Sequence, residues 1–161
     1  MQNLSYKALG IMMIDRWKLE NGSPDEQLDQ LYALSEDDIF ADKSIVGILR
    51  RNLTSTDNEI LEISIMRIAI RAKDIGSVDM LILVLSKNQD ELVRSAAIRS
   101  LSVLYGIVVR EDEVRADEIL SAVHRASLGP SELQLIQNDF TRQALRSDVR
   151  FQGCYSGPRR P

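Results

Sequence analysis

Cysteine and histidine are nearly absent from this 161-residue sequence, which contains one of each, Cys154 and His124. A single cysteine cannot close an intramolecular disulfide, and one thiol with one imidazole cannot assemble the four ligands of a structural zinc site. Glycine (8 residues) and proline (4 residues) are also scarce, which argues against a turn-rich all-β fold. We therefore expect a protein that holds no metal and no cofactor.

Long hydrophobic runs are missing as well. The longest apolar stretches, residues 10–14 and 80–85, fall far short of the ~18 apolar residues that a membrane-spanning helix requires. The first residues lack the basic stretch, apolar core and small-residue cleavage site of a secretory signal. We expect no membrane partner, a cytoplasmic location and a reduced thiol at Cys154.

Catalytic motifs are likewise absent, since the chain contains no GxxxxGK[ST], GxGxxG, HExxH or GxSxG pattern. No nucleophile and orienting partner surround His124, which we interpret as a surface or satisfied core histidine. The acidic triplets at 36–38 and 111–113 lack the glycine spacing of a calcium loop and are interpreted as helix-end charges. We expect no catalytic residues and no enzyme activity.

The charge of −4 is unevenly distributed along the chain. Residues 20–62 contain eleven acidic side chains and three basic ones, whereas residues 139–161 contain five arginines and two aspartates. Because nucleic-acid affinity depends on neutralising phosphates, an acidic protein favours no nucleic-acid partner. The acidic half suits a basic protein partner; the alternative is a solvated surface that only maintains solubility.

Helix-capping signals recur along the chain. Residues 23–26 (Ser-Pro-Asp-Glu) form a capping box, residues 56–59 repeat it with Thr56 as the cap, and Asn88 caps a third helix. Gly106 and Gly129 are predicted left-handed C-caps. We predict an all-α fold of about eight helices without a sheet, at 3–20, 24–34, 36–42, 44–54, 57–73, 78–86, 90–105 and 113–147, the last broken at Gly129 and Pro130.

The sequence also repeats itself. A shift of 32 residues superimposes Val46 on Val78, Leu49 on Leu81, Leu53 on Leu85, Glu59 on Glu91, Ile60 on Leu92, Leu61 on Val93 and Arg67 on Arg99. A poorer third copy places Ala122, Ala126, Glu132 and Leu133 beyond Leu81, Leu85, Glu91 and Leu92. Units of this size stack into a right-handed series of antiparallel helix pairs.

The second copy, residues 78–106, resembles a HEAT repeat. Its leucine-rich run at 81–85, turn residue Asp90, Val93-Arg94 pair, paired alanines and Leu101 follow the family's order. The resemblance implies an α-solenoid that binds other proteins along a concave surface formed by its second helices. Fold resemblance alone does not assign a function.

The length fits one domain. We predict a helical-repeat domain over residues 1–148, made of N-terminal helices (1–42), two repeats (44–106) and a divergent third pair (113–147). Trp17 is expected to anchor the first helix in the core. Residues 149–161 contain two glycines and two prolines without helical spacing, and are predicted to form a flexible tail.

One helix face of each repeat is predicted to bind a partner. In the first repeat this face is too apolar for plain solvent, which indicates a binding stripe; alternatively, helix 57–73 packs the N-terminal helices there. The stripe, continued onto the second repeat, comprises Glu59, Glu62, Ile63, Met66, Arg67, Ile70, Ser95, Arg99 and Ser102.

These observations predict a non-catalytic protein-binding module. Its sharpest form is a small acidic bacterial inhibitor of the immunity type, which would occlude a basic toxin or enzyme. The alternatives are a HEAT-like enzyme of the DNA glycosylase or bilin lyase kind and a homo-oligomeric structural subunit. The 5% aromatic content disfavours the DNA glycosylase, which should have stacking aromatics. The oligomeric state is left open.

Overall fold

The computed structural model describes residues 14–126 together with Gln134, Asn138 and Phe140. These residues form helices and no strand, which confirms the all-α prediction. The α-helices are α1 (Arg16–Asn21), α2 (Pro24–Ala33), α3 (Glu36–Ala41), α4 (Ser44–Asn52), α5 (Asn58–Met66), α6 (Val78–Lys87), α7 (Glu91–Val108) and α8 (Glu113–Arg125). A π-helical turn (Arg67–Arg71) continues α5, and a 3-10 turn (Ile75–Ser77) precedes α6.

The predicted cap residue is confirmed at α2, whereas the caps of two other helices are different residues from those predicted. The Ser23 hydroxyl accepts from the Glu26 amide at 3.3 Å, and the Glu26 carboxylate accepts from the Ser23 amide at 3.1 Å. The caps of α5 and α7 are Asp57 and Asp90, not Thr56 and Asn88. In both helices the aspartate immediately before the first helical residue accepts hydrogen bonds from first-turn backbone amides, which have no partner within the helix. Thr56 and Asn88 lie further from these amides and do not cap them.

Two predicted helix boundaries are wrong. Within the described residues, the helix predicted at 3–20 begins only after Asp15, which has extended backbone and caps α1 by accepting from the Lys18 amide at 3.1 Å; residues 3–13 lie outside the described residues. Helix α7 does not end at Gly106 but continues to Val108, with Gly106 buried inside it. The buried face continues through Val108 and Val109, so packing outweighs the ~1 kcal/mol that a helical glycine costs. Gly129, Cys154 and the predicted tail lie outside the described residues.

Trp17 is not the buried anchor that the sequence suggests, because 65% of it is exposed. Leu19, which is fully buried, is the core residue of α1. Residues two apart on a helix point about 200° away from each other, so burying Leu19 turns Trp17 outward. The Trp17 indole therefore lies on the protein surface.

The core is densest where α5 packs against α7. As predicted from their spacing, Val93, Ala97, Leu101 and Leu104 are completely buried. The buried Ser100 hydroxyl donates to the Ile65 carbonyl at 3.2 Å, so the backbone of α5 lies close to α7. Small side chains on α7 allow this approach.

The predicted 32-residue shift holds only for the first helix of each pair. Leu49 and Leu53 of the first pair and Leu81 and Leu85 of the second are all buried. The second helices align with a shift of 33, because the caps Asp57 and Asp90 are 33 residues apart and Ile60, Ser64 and Ile68 then match the buried Val93, Ala97 and Leu101. The 32-residue shift instead pairs Ile60 with Leu92, which is 64% exposed.

Arg94 ties α7 to two neighbouring helices. Its guanidinium donates to the Leu85 carbonyl at 2.7 Å and the Asn88 carbonyl at 3.2 Å, both at the end of α6. It also donates to the Ala126 carbonyl at 3.0 Å, just beyond α8. Cations are favourable at helix C-termini, where carbonyl groups lack intrahelical partners. Helix α8 thus lies against both α6 and α7.

The Tyr105 and Phe140 rings, whose centroids are 5.5 Å apart, add a contact on α7.

Among the described residues, no helix combines the length and the apolar character that crossing a membrane requires.

Candidate functional site

Only some residues of the predicted binding stripe are exposed to solvent. Ile63 is 8% exposed and Ser102 is 2% exposed, so the prediction that these two residues face outward is wrong. Met66 is half-buried against the core. Helix α2 packs against α5, which is the arrangement that the alternative interpretation of the stripe required. Ile63 and Met66 therefore belong to the packed interior of the fold more than to a free binding stripe.

Arg67 binds its own chain. Its Nε donates to the Leu31 carbonyl at 2.8 Å and its Nη2 donates to the Tyr32 carbonyl at 3.3 Å, at the C-terminal end of α2. Burial and the neighbouring Arg71 guanidinium lower the pKa of Arg67. The guanidinium thus satisfies carbonyls of α2 and fixes the position of Tyr32.

Tyr32 in turn reaches α5. Its hydroxyl donates to the Glu59 carboxylate at 3.1 Å while 54% of the residue is exposed. This hydrogen bond is the main cause that raises the pKa of Tyr32. An exposed aromatic ring therefore stands beside a carboxylate, at a place fixed by Arg67.

Glu62 and Asp90 extend the negative charge from Glu59. Burial, followed by the carboxylates of Asp90 and Glu59, raises the pKa of Glu62. The Asp90 carboxylate also caps α7 and accepts from the side-chain Nδ2 of Asn58 at 3.5 Å. We call these four side chains, Tyr32, Glu59, Glu62 and Asp90, the acidic surface.

No described cation forms an ion pair with a carboxylate of the acidic surface, and the nearby Arg67 guanidinium donates to the Leu31 and Tyr32 carbonyls instead. Neither Glu59 nor Glu62 forms an ion pair there, although ion pairs occur elsewhere, as between Arg50 and Asp74 at 2.6 Å and Arg115 and Asp79 at 3.0 Å. Like charges held together repel one another. The arrangement can therefore receive a cationic group, which would relieve that repulsion.

The remaining predicted residues do not join this cluster through any described contact. Ile70 is 37% exposed, Ser95 is half-buried and Arg99 is exposed. Sequence reasoning identified Glu59 and Glu62 but missed Tyr32 and Asp90. The available signal for Tyr32 was its place beside Leu31: when Leu31 is buried on α2, its neighbour turns about 100° away, toward the side of the helix.

Within the described part of the chain, no group of three or more His, Cys, Asp or Glu side chains is placed to hold a metal ion. His124, at the end of α8, is exposed. Comparison of the chain with protein-family models, with curated proteins and with solved structures gave no match.

Proposed function

We propose that this chain is a non-catalytic protein-binding helical-repeat module whose acidic surface docks a basic partner protein. The observation that carries the proposal is the grouping of Glu59, Glu62 and Asp90 beside the exposed ring of Tyr32, with no ion pair between these carboxylates and a described cation. Tyrosine is enriched at protein interfaces because its ring packs while its hydroxyl forms hydrogen bonds.

Exposed and partly buried carboxylates are expected to affect different rate constants of binding. Carboxylates on a surface steer a basic partner and accelerate association, and partly buried ones slow dissociation when they pair. Of the two glutamates, Glu62 is partly buried and Glu59 is exposed. We therefore expect Glu59 to act mainly on the association rate and Glu62 mainly on the dissociation rate.

Within this class, an immunity-type inhibitor that occludes a basic toxin or enzyme remains our sharpest hypothesis. Its support is the net charge of −4 and the concentration of acidic residues at 20–62. The HEAT-like solenoid is part of the same proposal. It is supported by the close pair α6 and α7, by the Asp90 cap, and by Arg94, which joins adjacent helix ends.

A photocrosslinking experiment tests the docking surface. Benzoylphenylalanine is placed at Tyr32 in the full chain and, as a matched control, at Val114, which is 71% exposed on α8. Each protein is irradiated in an extract of the source cells, and the adducts are identified by mass spectrometry. We expect a basic protein crosslinked at position 32 and not at position 114.

The identified protein is then purified and its affinity measured with charge variants. Glu59→Gln with Glu62→Gln should raise Kd at least about tenfold and reduce the salt dependence of binding. Glu111→Gln with Asp117→Asn removes the same charge at exposed positions and should change Kd less than about twofold. Equal effects of the two variants, or an acidic partner, would contradict the proposal.

A further inference from the structure

A second surface feature, of opposite charge, lies beyond the end of α5. It is a groove of about 460 Å³ between α3, the start of α4 and the segment that follows the π-helical turn. Phe40 and Val46 supply apolar walls, and Lys43, Arg71 and Lys73 supply cations. None of these residues belongs to the acidic surface.

Phe40 is the most prominent member of this groove. It is 83% exposed, more than any other large hydrophobic side chain of the described residues, although the adjacent Ile39 is buried. Its helix is held firmly: Ser35 and Asp38 form a capping box, with the Ser35 amide donating to the Asp38 carboxylate at 2.9 Å. Phe40 is therefore a pre-positioned apolar contact whose burial would be favourable.

The cations of the groove exceed what its own carboxylates neutralise. Lys73 lies 3.8 Å from Glu36, and Asp37 is the other acidic side chain of the lining. Lys43 and Arg71 form no ion pair with the described residues and are exposed. The groove thus keeps an excess of positive charge beside an exposed aromatic ring.

Two backbone irregularities supply two of these cations. Arg71 is the last residue of the π-helical turn, and Lys73 has a φ of 50°, in the left-handed region that favours glycine. Such features cost conformational energy and concentrate at functional sites. The π-helical turn and the left-handed Lys73 occur together at this groove, which supports a binding role for it. The shape and the charges of the groove indicate what it binds.

We propose that this groove docks an acidic segment of a partner protein, with an apolar side chain of that segment on Phe40 and Val46 and its carboxylates against Lys43 and Arg71. Charge complementarity selects this occupant. An inorganic anion would neutralise the cations but leave Phe40 in water, and a basic segment would meet uncompensated like charge. The groove is thus a second docking site, distinct in chemistry from the acidic surface.

A peptide series measures this preference on the full-length protein. Fluorescein-labelled nonapeptides place Leu, Ile, Phe or Trp at the centre, flanked by Asp and Glu, by Asn and Gln, or by Lys and Arg. Fluorescence anisotropy should give a Kd for the acidic peptides at least about tenfold lower than for the neutral ones. Amide chemical-shift changes should centre on Phe40 and Val46. Equal affinity across the three series, or shift changes elsewhere, would overturn the proposal.

Variants separate docking from folding. Phe40→Ser, and separately Lys43→Gln with Arg71→Gln, should each weaken the best acidic peptide about tenfold. Both substitute exposed residues, so thermal unfolding should stay unchanged. The matched controls are Leu83→Ser, which is 51% exposed on α6, and Lys18→Gln with Lys87→Gln. Unchanged peptide affinity in the groove variants would overturn the proposal.

Sedimentation equilibrium tests the competing occupant. A concentration-dependent dimer that Phe40→Ser abolishes would assign the groove to a second copy of this chain and overturn its assignment to an acidic partner segment. We expect a mass that does not depend on Phe40.

Discussion

Helices α5 and α7 are the second helices of the two predicted repeats, yet they end differently. Helix α7 is regular for 18 residues. Helix α5 is regular for 9 residues and then enters the π-helical turn, where the Ala72 amide donates to the Arg67 carbonyl at 3.0 Å. A final bond from the Asp74 amide to the Ile68 carbonyl at 3.0 Å closes the helix around Lys73.

The difference between the two helix ends shows that helices with the same buried face can carry different surfaces. Both helices bury equivalent positions where they meet, so the core does not depend on how either helix ends. The features with binding character lie instead at the ends of α5, with Glu59 and Glu62 in its first two turns and Arg71 and Lys73 after its last. Helix α5 thus contributes charged residues to both proposed docking sites, which Tyr32 of α2, the α7 cap Asp90 and Phe40 of α3 complete.

The largest expected effect comes from breaking the contact between the two helices. Ala97→Asp places a carboxylate at a fully buried position of α7, within the hydrophobic core that α5 and α7 share. We expect a loss of several kcal/mol in the free energy of unfolding, enough to unfold the domain. Urea titration monitored by circular dichroism measures it.

Leu92→Asp is the matched control for Ala97→Asp, because Leu92 lies on the same helix and is 64% exposed. Its effect should stay within about 0.5 kcal/mol. If Ala97→Asp also stayed within this limit, the close packing of α5 against α7 would be disproved.

A second comparison concerns the arginine that each helix uses to hold a neighbour. Arg94→Met removes a donor from three carbonyls at helix ends, and Arg67→Met removes a donor from two. We expect each to cost about 1–3 kcal/mol, with Arg94→Met the more destabilising. Chemical denaturation measures both values. Arg71→Met, at an exposed position after α5, is the control, and an equal loss there would show that charge alone matters.

The sequence was sufficient for the core of the repeats because helical spacing is a local property. The i, i+4 series from Val93 to Leu101 placed the buried face correctly, and the Ser23 capping box placed the start of α2. The irregular end of α5 could not be predicted, since residues 67–74 contain neither glycine nor proline. The left-handed Lys73 follows from how α5 closes against its surroundings.

The acidic surface was only half predictable for a related reason. Glu59 and Glu62 belong to one helix, so their shared neighbourhood is visible in the sequence. Tyr32 joins them through contacts that span 27 residues to Glu59 and 35 to Arg67, and such tertiary contacts leave no local pattern. The misplaced Trp17 has the same origin, because a single buried residue, Leu19, fixes the rotation of α1.

The end of α5 also permits a small stabilisation. Lys73→Gly should raise the free energy of unfolding by about 0.5 kcal/mol, because relief of the left-handed strain exceeds the extra entropy of glycine in the unfolded chain. Lys73→Ala is the control: it also removes the exposed ion pair with Glu36 but retains the strain, so it should give no gain. Thermal unfolding compares the two, and equal stability of both variants would contradict strain at this residue.

The smallest expected effect distinguishes an acidic residue near the start of α5 from one at the start of α7, through the pH dependence of stability. Because the folded-state pKa of Glu62 is raised, the folded protein binds this proton more tightly than the unfolded chain does. Stability is therefore lost as the pH rises from the unfolded value of about 4.3 through the folded value, and the loss is complete above both. Glu62→Gln should then stabilise the protein at neutral pH, by no more than about 0.5 kcal/mol, and this gain should disappear below about pH 4.

Glu91→Gln, in the first turn of α7, is the comparison for Glu62→Gln, and its expected effect has the opposite sign. An acidic side chain there interacts favourably with the helix N-terminus, so its neutralisation should slightly destabilise the protein at neutral pH. Urea unfolding of the two variants between pH 3.5 and 7.5 measures both trends. If Glu62→Gln also destabilised the protein at neutral pH, Glu62 would have a stabilising partner, and the acidic surface would not hold the uncompensated charge on which its docking role depends.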